Sequence, residues 1–300
     1  MMIHAFLAAL LVVAPPPFPP LDDGVPIAVT IDDLPWIGPP HGDLALSGTD
    51  RLLDALASRG VTATGFVNCD RARERDPILD RWLAAGMELG NHSAGHPDLN
   101  RTDLDAWLED VRTCDRFLQA LTGGPARWFR FPFLHQGPTL ERREAVADAL
   151  DELGYDNAHV TIDTSDWLLA VAYREALARG DRAEAERVGR AYVEHIVTMS
   201  RHYRDFARER FGRDVAHVLL IHANAMNADW LGAVLDALAE DGFRFVSLEE
   251  AMEDPVYDLP DGYLGESGIS WLYRVEPATP AAAAWDQARE DEIRERFGVR

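Results

Sequence analysis

Two adjacent carboxylates, Asp32 and Asp33, follow a short apolar run at residues 27–31. The run predicts a buried strand, so the pair lies where the chain leaves the sheet. Because side chains alternate along a strand, we expect the two carboxylates to point to different sides and to have different roles. One can bind a metal ion while the other acts as a base. An aspartate-rich turn before a proline produces the same pattern.

Two imidazoles four residues apart, His92 and His96, follow another short apolar run. Gly95 and Pro97 favour a tight turn over a helix at this spacing. Two histidines and a carboxylate from a second strand end form a three-ligand set that leaves one position open for water, as in catalytic zinc sites. A histidine pair of this kind is weak evidence when it is taken alone.

Arginine and histidine side chains mark two further strand ends. Arg130 lies in a predicted strand and needs a carboxylate partner or solvent, for which Asp163 and Asp166 are candidates. A purely structural ion pair explains Arg130 equally well. His222 ends the apolar run at 215–221 and is a candidate acid, although a histidine in this position is often a satisfied core residue.

The elements that must position these residues alternate along the chain. The predicted strands are 27–31, 61–68, 87–89, 127–133, 159–162, 215–221 and 243–247, and the predicted helices are 50–59, 77–86, 102–121, 139–153, 173–211 and 229–240. This alternation predicts a parallel sheet built from βαβ units. About seven units indicate an α/β fold of the distorted (β/α)7 barrel type, with an open doubly wound sheet as the alternative. The polar residues collect at strand C-termini, where (β/α) barrels carry their active sites.

Composition restricts the classes of partner. The chain has 300 residues, 47% of them hydrophobic, and a formal net charge of -22. A large core is therefore expected, and the acidic net charge argues against nucleic acid and anionic membranes as partners. Cys69 and Cys114 either form a disulfide or remain two buried thiols, since their spacing does not fit a metal site.

The N-terminus resembles a secretion signal. Residues 5–14 form an apolar run that three prolines follow, within a segment of residues 1–20. The run is shorter than the roughly 20 residues that span a bilayer, so no transmembrane segment is expected here. It fits the apolar part of a signal peptide, which predicts export to the periplasm or the exterior. An apolar N-terminus on a cytoplasmic protein is the alternative.

Five motifs, taken in chain order, resemble the signature motifs of the polysaccharide deacetylase family, the carbohydrate esterases with a NodB-homology domain. They are Thr30-Ile31-Asp32-Asp33-Leu34-Pro35, His92-Ser93-x-x-His96, Arg130-x-Pro132-Phe133, Asp163-x-x-Asp166-Trp167 and Leu219-x-x-His222. The resemblance covers roughly residues 27–248. It implies a distorted (β/α)7 barrel, one divalent metal ion and removal of acetyl groups from N-acetylated sugars. The ion is usually zinc, and sometimes cobalt or another ion.

The resemblance also implies a role for each matched residue. Asp33, His92 and His96 would hold the metal. Asp32 would be the general base, Arg130 would orient it, and His222 would be the general acid. Asp166 would pair with Arg130 or tune the other side of the site. The Phe133 N–H would help to bind the oxyanion, and Trp167 and Leu219 would form the wall under the acetyl methyl. Apart from the resemblance, Trp36 flanks the expected mouth of the site and could stack on a sugar ring or pack in the core.

Departures from the family pattern indicate a divergent member. Leu34 stands where the first motif usually has glycine, and the segment after Trp167 is longer than one βα connection needs. We expect a signal at 1–20, a catalytic barrel at 25–250 with a helical insertion at 168–213, and an extension at 251–300.

Two other functions stay open. One is hydrolysis of a non-sugar amide or a nucleotide-linked sugar on the same scaffold. The other is a carbohydrate-binding member that has lost catalysis, which the complete set of polar residues argues against.

Overall fold

The structure, a computed structural model, describes residues 24–72 and 76–299. The secretion signal predicted at residues 1–20 lies outside the described residues. Among the described helices, none is long and apolar enough to cross a membrane.

Eight parallel strands form one curved sheet around a central first strand. They are β1 Val25–Leu34, β2 Ala63–Val67, β3 Glu88–Asn91, β4 Trp128–Phe129, β5 Asp156–Asn157, β6 Ile162–Asp163, β7 His217–His222 and β8 Phe243–Val246. Seven of them follow the order β5-β4-β3-β2-β1-β7-β6, and β8 pairs with β1. The first part of β1 pairs with β8, and its later part pairs with β2. All ten residues of β1 are buried, as the apolar run predicted.

The sheet curls into a distorted (β/α)7 barrel. No pairing joins β5 to β6 in the described part of the chain, so the barrel is open between them. The C-terminal extension covers this opening: the Trp271 N–H donates to the Val160 carbonyl at 2.7 Å, and the Ser270 hydroxyl donates to the Thr161 carbonyl at 2.7 Å.

Helices surround the sheet and connect its strands. They are α1 Asp43–Ala57, α2 Pro77–Ala84, α3 Leu104–Thr122, α4 Leu140–Glu152, α5 Asp166–Ala178, α6 Arg182–Phe211, α7 Ala225–Glu240, α8 Leu248–Met252, α9 Trp271–Arg274 and α10 Ala284–Phe297. Side-chain caps set several starts: Asp76 accepts from the Ile78 N–H before α2, and Asp103 accepts from the Ala106 N–H before α3. The helices bury apolar stripes against the sheet, so one large core forms beside a small second cluster of Leu134, Val160 and Leu220.

Several predicted boundaries were wrong. The strand predicted at 159–162 is two short strands, β5 and β6, and helix α7 begins at Ala225 rather than at residue 229. The strand predicted at 127–133 has only two paired residues, because Pro132 lacks an N–H and a 3₁₀ turn follows at Pro132–Leu134. The helix predicted at 173–211 is two helices, α5 and α6, divided at Gly180, whose φ is 71°. Helix α1 begins at Asp43 rather than near residue 50.

The two cysteines form a disulfide, which decides between the alternatives left open by the sequence. Cys69, in the turn after β2, is joined to Cys114 on α3 across a separation of 45 residues. Both residues are buried. The bond therefore fastens the turn that follows β2 to the helix that follows β3.

Replacing both Cys69 and Cys114 by alanine should lower the free energy of unfolding by roughly 2–4 kcal/mol, because an unfolded chain without the cross-link gains entropy. Urea denaturation with and without a reductant measures this change. The reductant should destabilise the natural protein and leave the double variant unaffected. Equal stability of the two proteins under non-reducing conditions would contradict the expected contribution.

Candidate active site

A cavity of about 580 Å³ opens at the C-terminal ends of the strands. Its volume lies in the range of small-ligand sites. The lining residues include Asp32, Asp33, His92, His96, Phe133, Asp163, Trp167 and His222, which come from all five motifs. The structure thus brings together residues that are up to 190 positions apart in the chain.

Both carboxylates of the first motif line this cavity, although strand alternation predicted that they face different sides. The pairing of β1 with β2 shifts register between Ile31 and Leu34, and Asp33 has a φ of 65°. A bulge of this kind re-aims side chains, and aspartate tolerates the left-handed conformation better than most residues. The expectation of opposite faces was therefore wrong, and the reason is a local break in the strand.

Asp33, His92 and His96 form a group that could hold a metal ion. One ligand atom from each lies within 4.8 Å of the others. The Asp33 Oδ1 is 3.9 Å from the His92 Nε2 and 3.8 Å from the His96 Nε2. Two imidazoles and one carboxylate are a donor set that suits a divalent ion such as zinc.

Hydrogen bonds orient these side chains toward one another. The His92 Nδ1 lies 2.8 Å from the Arg130 carbonyl and donates to it, which leaves the Nε2 free of a proton and facing Asp33. Burial and the neighbouring His96 lower the pKa of His92 to about 3. The neutral ring is the form that binds metal. The Asn68 amide donates to the Asp33 Oδ1 at 2.9 Å.

The loop between the two histidines is held by Asp110 on α3, a residue that the sequence analysis missed. Its carboxylate accepts from the Ala94 N–H at 2.8 Å and from the Gly95 N–H at 3.1 Å. The Ser93 hydroxyl accepts from the His96 N–H at 3.1 Å. These bonds replace a helix as the device that brings both rings to one side.

Asp32 is buried beside this group and is only partly neutralised. Its Oδ2 is 3.6 Å from the Arg130 guanidinium and 3.6 Å from the His92 Nε2. Its Oδ1 has no hydrogen-bond partner among the described residues. Burial raises the pKa of Asp32 to about 6 against the opposing charge of Arg130. Arg130 also donates to the Thr30 hydroxyl at 3.0 Å, so it is anchored to the strand that carries Asp32.

Asp166 pairs with His222 and not with Arg130, so one of the two roles predicted for Asp166 was wrong. The His222 Nδ1 donates to the Asp166 Oδ1 at 2.6 Å, and the His222 N–H donates to the Oδ2 at 3.1 Å. Burial disfavours the imidazolium, but the adjacent carboxylate outweighs burial and raises the pKa of His222 to about 10. His222 is therefore held in its protonated form at neutral pH.

Asn227 on α7 holds this pair and is a second residue that the sequence analysis missed. Its amide donates to the Asp166 Oδ2 at 2.8 Å and to the His222 carbonyl at 2.8 Å. Its carbonyl oxygen accepts from the Tyr192 hydroxyl on α6. The helical insertion thus reaches the ion pair through a fully buried chain of hydrogen bonds. Its spacing from His222 places Asn227 in the first turn of the next helix, which was the only available signal.

Two of the predicted substrate contacts line the cavity and two do not. Phe133 and Trp167 line it and are 53% and 42% exposed. Leu219 points into the core on the opposite side of β7, and its neighbour Leu220 lines the cavity in its place, since Leu220 and His222 share one face of the strand. Trp36 is buried against Gly48 on α1, so it is a core residue and cannot stack on a sugar.

Segments outside the five motifs complete the walls. Arg174 comes from α5, Gly268 from the C-terminal extension and Glu290 from α10. The Ser165 hydroxyl donates to Glu290 at 2.6 Å, which fastens α10 to the start of α5. His135 also lines the cavity and pairs with Asp98 at 2.7 Å.

Comparison with known proteins supports the resemblance seen in the motifs. Residues 22–158 match the model of a family described as polysaccharide deacetylase. A peptidoglycan-N-acetylglucosamine deacetylase of Bacillus cereus is 28% identical over 47% of this chain and 46% of its own length. The peptidoglycan-N-acetylmuramic acid deacetylase PdaA of Bacillus subtilis is 23% identical over 71% of this chain and 69% of its own length. The chain thus spans less than half of the first of these relatives.

The fold has solved counterparts. A CE4 family pseudoenzyme from Bacillus anthracis aligns with a TM-score of 0.54 and 19% identity, covering 77% of this chain and 66% of its own. At this identity the likeness concerns the fold, and it confirms the predicted (β/α)7 architecture.

The purified chain should bind about one divalent ion, with zinc as the first ion to test. Replacing His92 and His96 together by alanine should lower the affinity by orders of magnitude, because two of three ligands are lost. Elemental analysis after dialysis and titration with a chelator measure the occupancy. His135→Ala is the matched control, since this histidine lines the same cavity outside the ligand set. Full occupancy in the double variant would exclude the proposed ligands.

Asn227→Leu should lower the free energy of unfolding by roughly 2–4 kcal/mol, because the buried partners of the amide are left unsatisfied. Tyr192→Phe removes one of these bonds and should cost roughly 1 kcal/mol. Urea denaturation at pH 7 measures both changes. The exposed amide Gln287 on α10, whose bond to Asp291 lies at the surface, is changed to leucine as the control and should stay within about 0.5 kcal/mol of the natural protein. A neutral effect of Asn227→Leu would mean that the network has no energetic role.

Proposed function

Residues 22–158 belong to the polysaccharide deacetylase family, and on that premise we propose that the protein is a metal-dependent deacetylase. Its reaction is hydrolysis of the N-acetyl amide of an N-acetylated sugar or polysaccharide. The observation that carries the proposal is the convergence, in one cavity, of three candidate metal ligands with a buried carboxylate and a carboxylate-paired histidine.

Asp33, His92 and His96 would hold the ion, with zinc as the proposed metal. A divalent ion bound there would polarise the amide carbonyl and make a water molecule acidic enough to lose a proton near neutral pH. The remaining chemistry belongs to side chains of this chain. Asn68 donates to Asp33, and Asp110 holds the loop that carries the two histidines. None of the three ligands is therefore positioned by an exposed loop alone.

Asp32 is the proposed general base. Its buried Oδ2 lies beside the ligand group, and its raised pKa gives it more affinity for a proton than an exposed aspartate has. The Arg130 guanidinium lies 3.6 Å from the Asp32 carboxylate. Its charge limits the rise in the pKa of Asp32, and its contact keeps the carboxylate facing the cavity. Asp32 would accept a proton from water as the water attacks the acetamide carbon.

His222 is the proposed general acid. An amine leaves an amide readily only when it is protonated, so a proton donor must face the nitrogen. Asp166 keeps His222 protonated through the 2.6 Å bond to its Nδ1, which leaves the Nε2 to donate. The Phe133 N–H is the proposed oxyanion donor, and Trp167 with Leu220 would enclose the acetyl methyl.

The proposed substrate class is an N-acetylated glycan, the class named for the relatives described above. A metal-dependent hydrolase of a non-sugar amide is the alternative on the same site. A non-catalytic role also has a precedent in the pseudoenzyme with this fold. The complete set of ligands, base and acid favours catalysis over that role. We also propose export, which the Cys69–Cys114 disulfide supports because such bonds persist in oxidising compartments.

Acetate release from N-acetylglucosamine oligomers, measured with added zinc or cobalt, tests the function directly. Asp32→Asn should cut turnover by roughly 10²–10⁴-fold and leave metal content nearly normal, because the proton acceptor is lost and a metal ligand is not. Asp33→Asn should instead weaken metal binding, and excess metal should restore part of its activity. If Asp32→Asn loses the metal and Asp33→Asn retains it, the two roles are exchanged.

The pH profile tests the acid and the base separately. Activity should fall as the pH drops below about 6, where Asp32 becomes protonated, and should persist well above pH 7, where His222 is still protonated. Asp166→Asn should move the alkaline fall to lower pH, because the charge that stabilises the imidazolium is removed. An unchanged alkaline limb in this variant would exclude His222 as the acid.

A further inference from the structure

One face of α5 forms a wall of the cavity. The lining residues on this helix are Trp167, Ala170, Val171 and Arg174, which recur at helical spacing. Trp167 follows Asp166, the partner of the proposed acid, so the stripe begins beside the reacting centre. Arg174 lies seven residues further, or roughly 10 Å along the helix axis. That distance exceeds the width of one sugar ring.

Arg174 is the sole arginine among the described residues that line the cavity. In the part of the chain that the structure describes, its guanidinium makes no ion pair, side-chain hydrogen bond or ring contact. It lies half-buried against Gly38, where a Cβ atom would come within 2.7 Å of its Nη1. The glycine, with a φ of 66°, leaves room for the guanidinium between α5 and the loop after β1.

The carboxylates of the cavity do not neutralise Arg174. Glu290 accepts from the Ser165 hydroxyl at 2.6 Å and faces Arg294 on its own helix at 3.7 Å. The Asp163 carboxylate accepts from the Ser165 N–H at 3.2 Å. The two carboxylates of the first motif face Arg130 and the histidines. An unpaired cation in an otherwise acidic cavity is therefore available to an anion from outside the chain.

We propose that Arg174 binds a carboxylate carried by the sugar next to the N-acetylated unit of the substrate. The inference rests on the proposed function and narrows it to acidic glycans. A guanidinium matches a carboxylate in a two-point hydrogen-bonded pair. The acidic residues nearer the reacting centre repel a second anion there, so the carboxylate has to lie at the Arg174 end of the wall. Arg174 is thus a specificity residue and takes no part in the bond cleavage.

The test compares three disaccharides that carry N-acetylglucosamine at the non-reducing end. One disaccharide, the acid, has N-acetylmuramic acid at its reducing end and so carries a lactyl carboxylate. Another, the ester, is the same disaccharide with that carboxylate as its methyl ester. The third is diacetylchitobiose, which lacks the lactyl group. The zinc-loaded full chain is compared with Arg174→Gln and with Arg182→Gln, an exposed arginine on α6 that lies away from the cavity. Calorimetric affinity and kcat/KM for acetate release are both measured.

The natural protein should bind the acid at least 10-fold more tightly than the ester or diacetylchitobiose. Arg174→Gln should reduce affinity and kcat/KM for the acid by roughly 10- to 100-fold and leave both neutral sugars unchanged, as expected for one charge-assisted pair. Arg182→Gln should behave as the natural protein. Metal content should be equal in all three proteins.

Several results would overturn the inference. Equal affinity for acid and ester in the natural protein would do so, as would an equal loss on all three sugars in Arg174→Gln. If the natural protein prefers N-acetylglucosamine 1-phosphate to the acid and Arg174→Gln loses this preference, the anion that Arg174 binds is a phosphate and not a carboxylate. Arg174-dependent binding of the acid with no acetate release from any sugar would uphold the inference and refute the proposed function. Acetate release with no preference for the charged sugar would uphold the proposed function and refute the inference.

Discussion

Two adjacent carboxylates buried at the end of β1 are the constraint around which this structure is arranged. Asp32 and Asp33 are 2% and 8% exposed, and like charges so close together in a medium of low dielectric repel strongly. Two neighbouring elements supply groups that offset this repulsion. Asn68, in the turn after β2, donates to Asp33, and Arg130, after β4, faces Asp32. The neutral histidines of the loop after β3 face the carboxylates as metal ligands would. A cation at the candidate metal site would remove the remaining cost.

The opposite side of the cavity is organised around a different buried charge. Asp166 is fully buried at the start of α5 and is satisfied by His222 and Asn227. Burial at the end of β1 raises the affinity of Asp32 for protons, while the Asp166 carboxylate holds a proton on His222. Environments that separate the proton affinities of two nearby groups are a common basis for assigning base and acid. The separation here comes from burial on one side and from a close ion pair on the other.

The helical insertion and the C-terminal extension both contribute to the candidate active site. Tyr192 on α6 satisfies the oxygen of the amide that holds Asp166. The extension covers the gap between β5 and β6 and supplies Gly268 and Glu290 to the cavity. These segments lie outside the five motifs and line the cavity at a distance from the candidate metal ligands. Under the proposed function they would contact parts of a glycan beyond the acetyl group, so they are the walls expected to select the substrate.

Local sequence determined most of the strands and helices, the motif order and the identity of the polar residues at strand ends, because periodicity and chain direction place these without knowledge of distant contacts. It also limited the fold to a (β/α) barrel or an open doubly wound sheet, since alternating strands and helices permit few arrangements, and the family resemblance favoured the barrel. Only the tertiary structure decided which face each side chain uses. The bulge at Asp33 turned both carboxylates into the cavity, and register put Leu220 there in place of Leu219. The contacts of Asn227 and Asp110 and the place of Arg174 in the cavity depend on packing between helices distant in sequence, a long-range property that no local pattern encodes.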